Sequence, residues 1–223
     1  MEPLFVHEMI TIHNGIHSRE PYMEHQLELG RRSTTYDLFG TWKVVGMTGV
    51  WPRVLNIWHP RRGWEGFGDL LTETYGEVHA NMHGFLSTMD QYRAGGEDCL
   101  VTARPGFPDD ESAIETDPHA LFIHENVTVA SGQVGAYLDA VVDDYQPAAN
   151  AVGRRLVAAF EGVLSDTQAI LLWATTPEAY VASRGGTDDG LREWRRRARD
   201  FATGWREQLM VGPAGLRGQR DPF

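Results

Sequence analysis

The chain has 223 residues, 42% hydrophobic and 10% aromatic, enough to fill the core of one large domain or two smaller ones. Its formal net charge of −11 argues against general nucleic-acid binding, which needs a basic face for phosphate contacts. The lone cysteine, Cys99, excludes an internal disulfide or a cysteine zinc cluster, and no apolar run is long enough to span a membrane.

In chain order, Phe5–Ile12 alternates and predicts a strand ended by Asn14-Gly15. Tyr22–Tyr36 reads as a helix. Trp42–Thr48 and Arg53–His59 read as strands joined through Gly49-Val50-Trp51-Pro52, Trp64–Tyr75 and His79–Tyr92 as helices, and Cys99–Arg104 as a closing strand. The stretch from Gly106 to His119, rich in Pro, Asp and Glu, is the natural linker. Beyond it Leu121–Val129 predicts a strand, and Gln133–Arg155 a helix interrupted near Pro147. Leu156–Gly162 is a strand or a helix end, and Gln168–Thr175 a strand. Thr187–Arg206 is a long helix, and Glu207–Val211 closes the unit. The basic run Arg192–Arg199 is a solvated helix face balanced by Glu193 and Asp200.

The two halves echo each other in sequence as well as in element order. Leu4-Phe5-Val6-His7-Glu8 and onward to Gly15 is repeated from Leu121-Phe122-Ile123-His124-Glu125 to Gly132. Such a repeat marks an internal duplication. The expected fold is α+β: two tandem ferredoxin-like (βαββαβ) units whose antiparallel sheets pack face to face as a pseudo-dimeric α+β barrel. The expected boundaries are 1–108, a linker at 109–119, a second unit at 120–212 and a tail at 213–223.

Several segments carry a family resemblance. Ile10-Thr11-Ile12-His13-Asn14-Gly15 resembles the first-strand signature of NIPSNAP proteins, and Val54-Leu55-Asn56-Ile57-Trp58-His59 their third strand. Leu100 to Pro108 is similar to their closing strand, and Ala169-Ile170-Leu171-Leu172-Trp173 to the third strand again. The chain departs from that pattern at Glu8, Ile10 and Asn14. The resemblance implies the dimeric α+β-barrel superfamily with both halves in one chain. It implies no single activity, since that superfamily includes cofactor-free monooxygenases, cyclases, isomerases and haem enzymes.

Alternation sorts the first strand of each half. Val6, Glu8, Ile10 and Ile12 share one face with their counterparts Ile123, Glu125, Val127 and Val129, and this mainly aliphatic set is expected to pack on helices. Phe5, His7 and Met9, with Phe122, His124 and Asn126, are expected to line a ligand cavity between the sheets. His7 and His124 are the catalytic candidates, because imidazole titrates near working pH and serves as general acid or base. Asn56, Trp58 and Trp173 are expected to complete the substrate-binding set, with Asn56 or Asn126 steadying developing negative charge. A strand histidine bonded to its neighbour would give the same pattern.

His79 and His83, four apart on a helix, are weak metal candidates; His13 and His17 straddle a turn. No metal site is expected. No cofactor is expected either, although a single axial histidine such as His79, His83 or His124 suits haem. The functional expectation is a cytoplasmic, cofactor-independent enzyme of secondary metabolism acting on an apolar, cyclic or polyketide-like small molecule by cyclisation, isomerisation, dehydration or oxygenation. The alternatives are a non-catalytic ligand-binding or protein-interaction protein and a haem-binding enzyme. A homodimer of tandem units is compatible with each, and neither nucleic acid nor membrane is an expected partner.

Overall fold

The computed structural model describes residues 3–75, 87–107, 120–185 and 188–212. Its contacts fall into two units whose boundary lies within one strand, at Leu100/Val101.

In unit 1, β1 (Leu4–Ile12) is followed by α1 (Ile16–Arg32), β2 (Tyr36–Val44), β3 (Arg53–Pro60), α2 (Trp64–Tyr75) and β4 (Arg93–Ala103). The strand order is β4-β1-β3-β2, with β1 antiparallel to β3 and β3 to β2. Asn14 and Gly15 both take positive φ, which turns the chain sharply and lets α1 begin at once. The helix therefore starts six residues earlier than its apolar spacing suggests, and Pro21 is tolerated in its early turns. It ends at Arg31-Arg32, whose charges suit a helix C-terminus. The Ser33 hydroxyl then accepts the Tyr36 N–H at 2.9 Å, so Tyr36 opens β2 instead of closing the helix. β4 also begins earlier than Cys99, because Gly96 lets the strand lie against β1: a Cβ there would meet the Met9 carbonyl at 2.9 Å. The expected helix at His79–Tyr92 falls largely outside the described residues.

In unit 2, β5 (Leu121–Val129) leads into α3 (Val134–Ala140), a wide π-type turn (Val141–Tyr145) and α4 (Gln146–Ala151). β6 (Arg155–Gly162) and β7 (Gln168–Thr175) follow, then α5 (Pro177–Arg184), α6 (Asp189–Ala198) and β8 (Ala202–Val211). The order β8-β5-β7-β6 repeats that of unit 1, and the last residues of β4 pair with β6. The expected long helix over 187–206 divides here: Asp188 caps the Leu191 N–H at 2.7 Å, and the chain turns at Phe201 into a strand with alternating faces. On α6, Leu191, Trp194 and Ala198 are buried, while Arg192, Arg196 and Arg197 pair with Asp189, Glu193 and Asp144. The basic run is thus a solvated face. Among the described residues no helix is long and apolar enough to cross a membrane.

The duplication is visible in the hydrogen-bond register. β2 bulges between Leu38 and Gly40, opposite Trp58 and Ile57; β6 bulges between Leu156 and Ala158, opposite Trp173 and Leu172. Glu8 faces Asn56 across the β1–β3 ladder, and Glu125 faces Leu171 across β5–β7. These pairings equate Thr41 with Ala159, Asn56 with Leu171 and Trp58 with Trp173.

Candidate functional site

The first-strand faces are as alternation implies. Ile10 and Ile12 pack with Tyr22 and Met23 of α1, and Ile123, Val127 and Val129 with Tyr137, Tyr145 and Trp194 from the helices of unit 2. Glu8 and Glu125 lie on this helix-facing side, and His7 and His124 on the other.

On the histidine side of unit 1, His7 is buried, with its Nδ1 3.7 Å from the Cys99 sulfur. Burial lowers the imidazole to about 4, and it raises the Cys99 thiol to about 11, helped by Asp98 and Glu97. The pair is neutral at physiological pH and has no thiolate nucleophile. Phe5 lies at the same face, its ring 4.9 Å from that of His59 and 5.8 Å from Phe39, and Met9 is buried beside it in the strand. In unit 2, His124 stands across the ladders from Leu172 and Gln208, and Phe122 from Ala174 and Met210; all but Ala174 are almost completely buried. Asn126, partly exposed, faces Arg206.

Asn56, Trp58 and Trp173 do not share the histidine face. β3 and β7 pair so that these side chains point toward the helices. There Asn56 and Trp58 meet Glu8. The Trp58 indole N–H donates to Glu8 Oε2 at 2.9 Å, and Asn56 Nδ2 donates to the same oxygen at 3.1 Å. Asn56 Nδ2 also donates to the Tyr22 hydroxyl at 2.7 Å, and its Oδ1 accepts the Thr41 hydroxyl at 2.8 Å. Thr41 thereby fixes the amide with its donors toward Glu8 and Tyr22. Asn56, Tyr22 and Thr41 are fully buried, whereas Glu8 as a residue is of intermediate burial. Desolvation and then Asp98 raise the Glu8 carboxyl above the usual carboxylate range, against the opposing pull of Asn56, Trp58 and Arg93. Burial and Glu8 hold Tyr22 firmly in its phenol form.

This is an oriented acid–base group beside a phenol whose own proton is still available to donate, an arrangement suited to proton transfer. Alternation indicated the direction of Glu8 but not its role. The signal was a carboxylate set within an otherwise aliphatic helix-facing stripe, and set there in both copies.

The equivalent place in unit 2 is filled differently. Glu125 is fully buried and accepts the Tyr145 hydroxyl at 2.7 Å. The Tyr145 ring stacks on Trp194 at 4.8 Å with planes 10° apart, and lies 4.6 Å from Trp173. Leu171 and Ala159 stand where unit 1 has Asn56 and Thr41. Burial raises the Glu125 carboxyl, offset by Tyr145 and by Arg154.

Of the metal candidates, His79 and His83 lie outside the described residues, and His13 and His17 are exposed around the Asn14-Gly15 turn. Among the described residues no group of three or more His, Cys, Asp or Glu is arranged to hold a metal ion.

No known family profile matches the chain, and no curated protein matches its sequence. Similarity appears among solved structures. An anthrone oxidase-like protein superposes with a TM-score of 0.70 at 13% identity, over 95% of this chain and 92% of its own. A monooxygenase candidate from Fusobacterium nucleatum gives 0.63 at 11%, over 96% of both chains. A chlorite dismutase candidate gives 0.56 at 12%, over 95% of this chain and 96% of its own. At these identities the likeness carries the fold alone: an α+β chain of tandem ferredoxin-like units, as in dimeric α+β-barrel proteins.

Proposed function

We propose that the chain is a cofactor-independent small-molecule enzyme whose chemistry sits in unit 1, on the helix-facing side of its sheet. The observation that carries this reading is the Glu8–Asn56–Trp58–Tyr22 cluster: a carboxyl whose pKa is raised by burial, held by two donors and flanked by a phenol. Glu8 takes a proton from an acidic C–H or phenolic O–H of a flat, largely apolar substrate, and Tyr22 hydrogen-bonds the oxygen on which negative charge grows. The likeness to an anthrone oxidase-like fold and to monooxygenase candidates favours an anthrone-type polycyclic substrate and oxygenation over cyclisation, isomerisation or dehydration. NIPSNAP kinship, a cytoplasmic setting, a place in secondary metabolism and a homodimer of tandem units belong to the same proposal.

Histidine acid–base chemistry at His7 or His124, with Asn126 as the oxyanion donor and Phe5, Met9 and Phe122 as apolar contacts, is the competing proposal. The fall of His7 to about 4 weighs against it, since that imidazole is not matched to proton transfer near neutrality, and His124 is buried away from solvent. Oxygen uptake and absorbance with anthrone-type substrates test the two together. Loss of turnover in Glu8→Gln with activity kept in His7→Gln and His124→Gln supports the carboxylate site, and the reverse pattern overturns it.

A further inference from the structure

The first-strand glutamate of each unit has a second carboxylate level with it, on the strand at its other edge. In unit 2 the ladder states this directly: Glu125 stands opposite Glu207 of β8, and His124 opposite Gln208. In unit 1, β4 lies at the corresponding edge of β1. There the His13 N–H donates to the Tyr92 carbonyl at 2.7 Å, Gly96 lies against Met9 and Ile10, and the Cys99 sulfur is 3.7 Å from His7 Nδ1. The two strands therefore run antiparallel, and Cys99 takes the place that Gln208 has in unit 2. Asp98, one residue earlier, projects to the opposite face, level with Glu8 and equivalent to Glu207. Leu100 and Leu209 continue the match.

Two carboxylates opposite each other on neighbouring strands repel. Each copy ties down the outer one with an arginine. Glu207 pairs with Arg184 of α5 and accepts the Tyr180 hydroxyl at 3.4 Å. Asp98 pairs with Arg93 of its own strand at 3.5 Å. Residues five apart in a straight strand lie about 16 Å apart on opposite faces. Gly95, at φ 131°, interrupts β4 between them and brings the arginine back to the aspartate. The same pairing is thus built twice by different means.

We propose that Asp98, held in place by Arg93, is a positioning residue that keeps a proton on Glu8 and so makes it the stronger base. The role rests on Glu8 being the acid–base group proposed above. Two negative charges at one level raise the cost of ionising the less hydrated of them. Asp98 is half-exposed, whereas the Glu8 carboxyl is enclosed by Asn56, Trp58 and their neighbours. Among the described residues, the charged and titratable groups acting on Glu8 are Asp98 and Arg93 of β4 and Tyr22 of α1; the Asn56 amide and Trp58 indole of β3 are neutral donors. After burial itself, Asp98 pushes Glu8 toward its protonated form, and Arg93 opposes it. A carboxylate that holds its proton more tightly accepts one more readily from a substrate near neutrality.

The test is a carbon-13 carboxyl titration of the intact chain by NMR, with the Glu8 resonance assigned through Glu8→Gln. It is run beside pH profiles of kcat/KM with an anthrone-type substrate. Asp98→Asn removes one charge from a half-exposed site at constant shape, and the Glu8 midpoint is expected to move to lower pH. Arg93→Gln is expected to move it to higher pH. Glu97→Gln removes the same charge from the other face of β4 and is expected to leave it in place. An unmoved midpoint in Asp98→Asn, or an equal movement in Glu97→Gln, overturns the inference. The acid limb of the activity profile is expected to follow the midpoint in Asp98→Asn, and Asp98→Glu to restore both. A midpoint that moves beneath an unmoved profile supports the hold of Asp98 on Glu8 and overturns the assignment of the reaction to Glu8.

Discussion

Units 1 and 2 share a strand order, a bulge at the same register and a glutamate at the same place in the first strand, yet the two glutamates have different company. Glu8 is held by an amide and an indole, and the residue as a whole is only partly buried. Glu125 is sealed beneath a stack of Tyr145, Trp194 and Trp173. Exchanging Asn56 for Leu171 and Thr41 for Ala159 removes the groups that orient the carboxyl, and the aromatic side chains of the unit 2 helices fill the space above it. One backbone thus supports a carboxyl oriented by an amide and an indole in one copy and a carboxyl packed under aromatic rings in the other. The π-type turn at Val141–Tyr145 belongs to this difference: it immediately precedes α4 and ends on the residue that bonds Glu125.

The sharpest way to break the comparison is through activity. Glu8→Gln and Tyr22→Phe are expected to lower kcat/KM by about 10²- to 10⁴-fold, the usual range for losing a general acid or base. Glu125→Gln is expected to leave turnover within a factor of about two. Equal losses in the two glutamate variants would mean that the copies do the same work. Stability should divide the other way. Trp194→Ala removes the ring stacked on Tyr145 from a fully packed interior and is expected to cost about 3–5 kcal/mol by denaturant unfolding.

The pH dependence of stability separates the groups by sign. His7 falls from 6.5 to about 4 on folding, so the folded state favours neutral imidazole. Its contribution is complete above the ordinary histidine value and is lost as pH falls through the interval toward 4, a loss of roughly 3 kcal/mol for a buried group shifted this far. His7→Gln should flatten unfolding curves over that acid interval. Glu125 is shifted the opposite way: its folded form holds the proton more tightly, so stability declines as pH rises above the ordinary glutamate range. Glu125→Gln should therefore be at least as stable as the parent at pH 8 and should lose that part of the slope. A variant that grows less stable only at high pH would show that Glu125 is kept ionised by its surroundings.

Much of the fold was legible because its signals are local. The alternation in Phe5–Ile12 and Leu121–Val129 revealed strands and faces, and the repeated Phe-x-His-Glu showed the duplication. The boundaries that moved depend on contacts distant in sequence. Tyr36 begins a strand because it pairs with Pro60, and Ala202–Val211 leaves the helix pattern because it lies along β5. The site was legible only in pieces. Asn56 and Trp58 stood out as polar and aromatic residues on an apolar strand, but their face depends on whether they pair opposite Glu8 or His7, which one residue of register decides. Tyr22 and Thr41 come from α1 and β2, and nothing in their own segments points to Glu8.

The smallest expected effect concerns the bulge that both units share. In unit 1 the Trp42 ring lies so close to Gly40 that a Cβ there would sit 2.2 Å from it, and both residues are buried. In unit 2 the equivalent positions are Ala158 and Phe160: a methyl group is present, and the aromatic ring that accompanies it is smaller. The two copies have thus solved one packing problem by opposite distributions of volume. Gly40→Ala should cost about 1–3 kcal/mol through overpacking, and Trp42→Phe should cost something through lost contacts. Together they should cost less than their sum, because the pair recreates the arrangement of unit 2. A double-mutant cycle by urea unfolding measures the coupling directly. Strict additivity would show that the Trp42 ring can move aside, and that the glycine is held in β2 by something other than the volume of its neighbour.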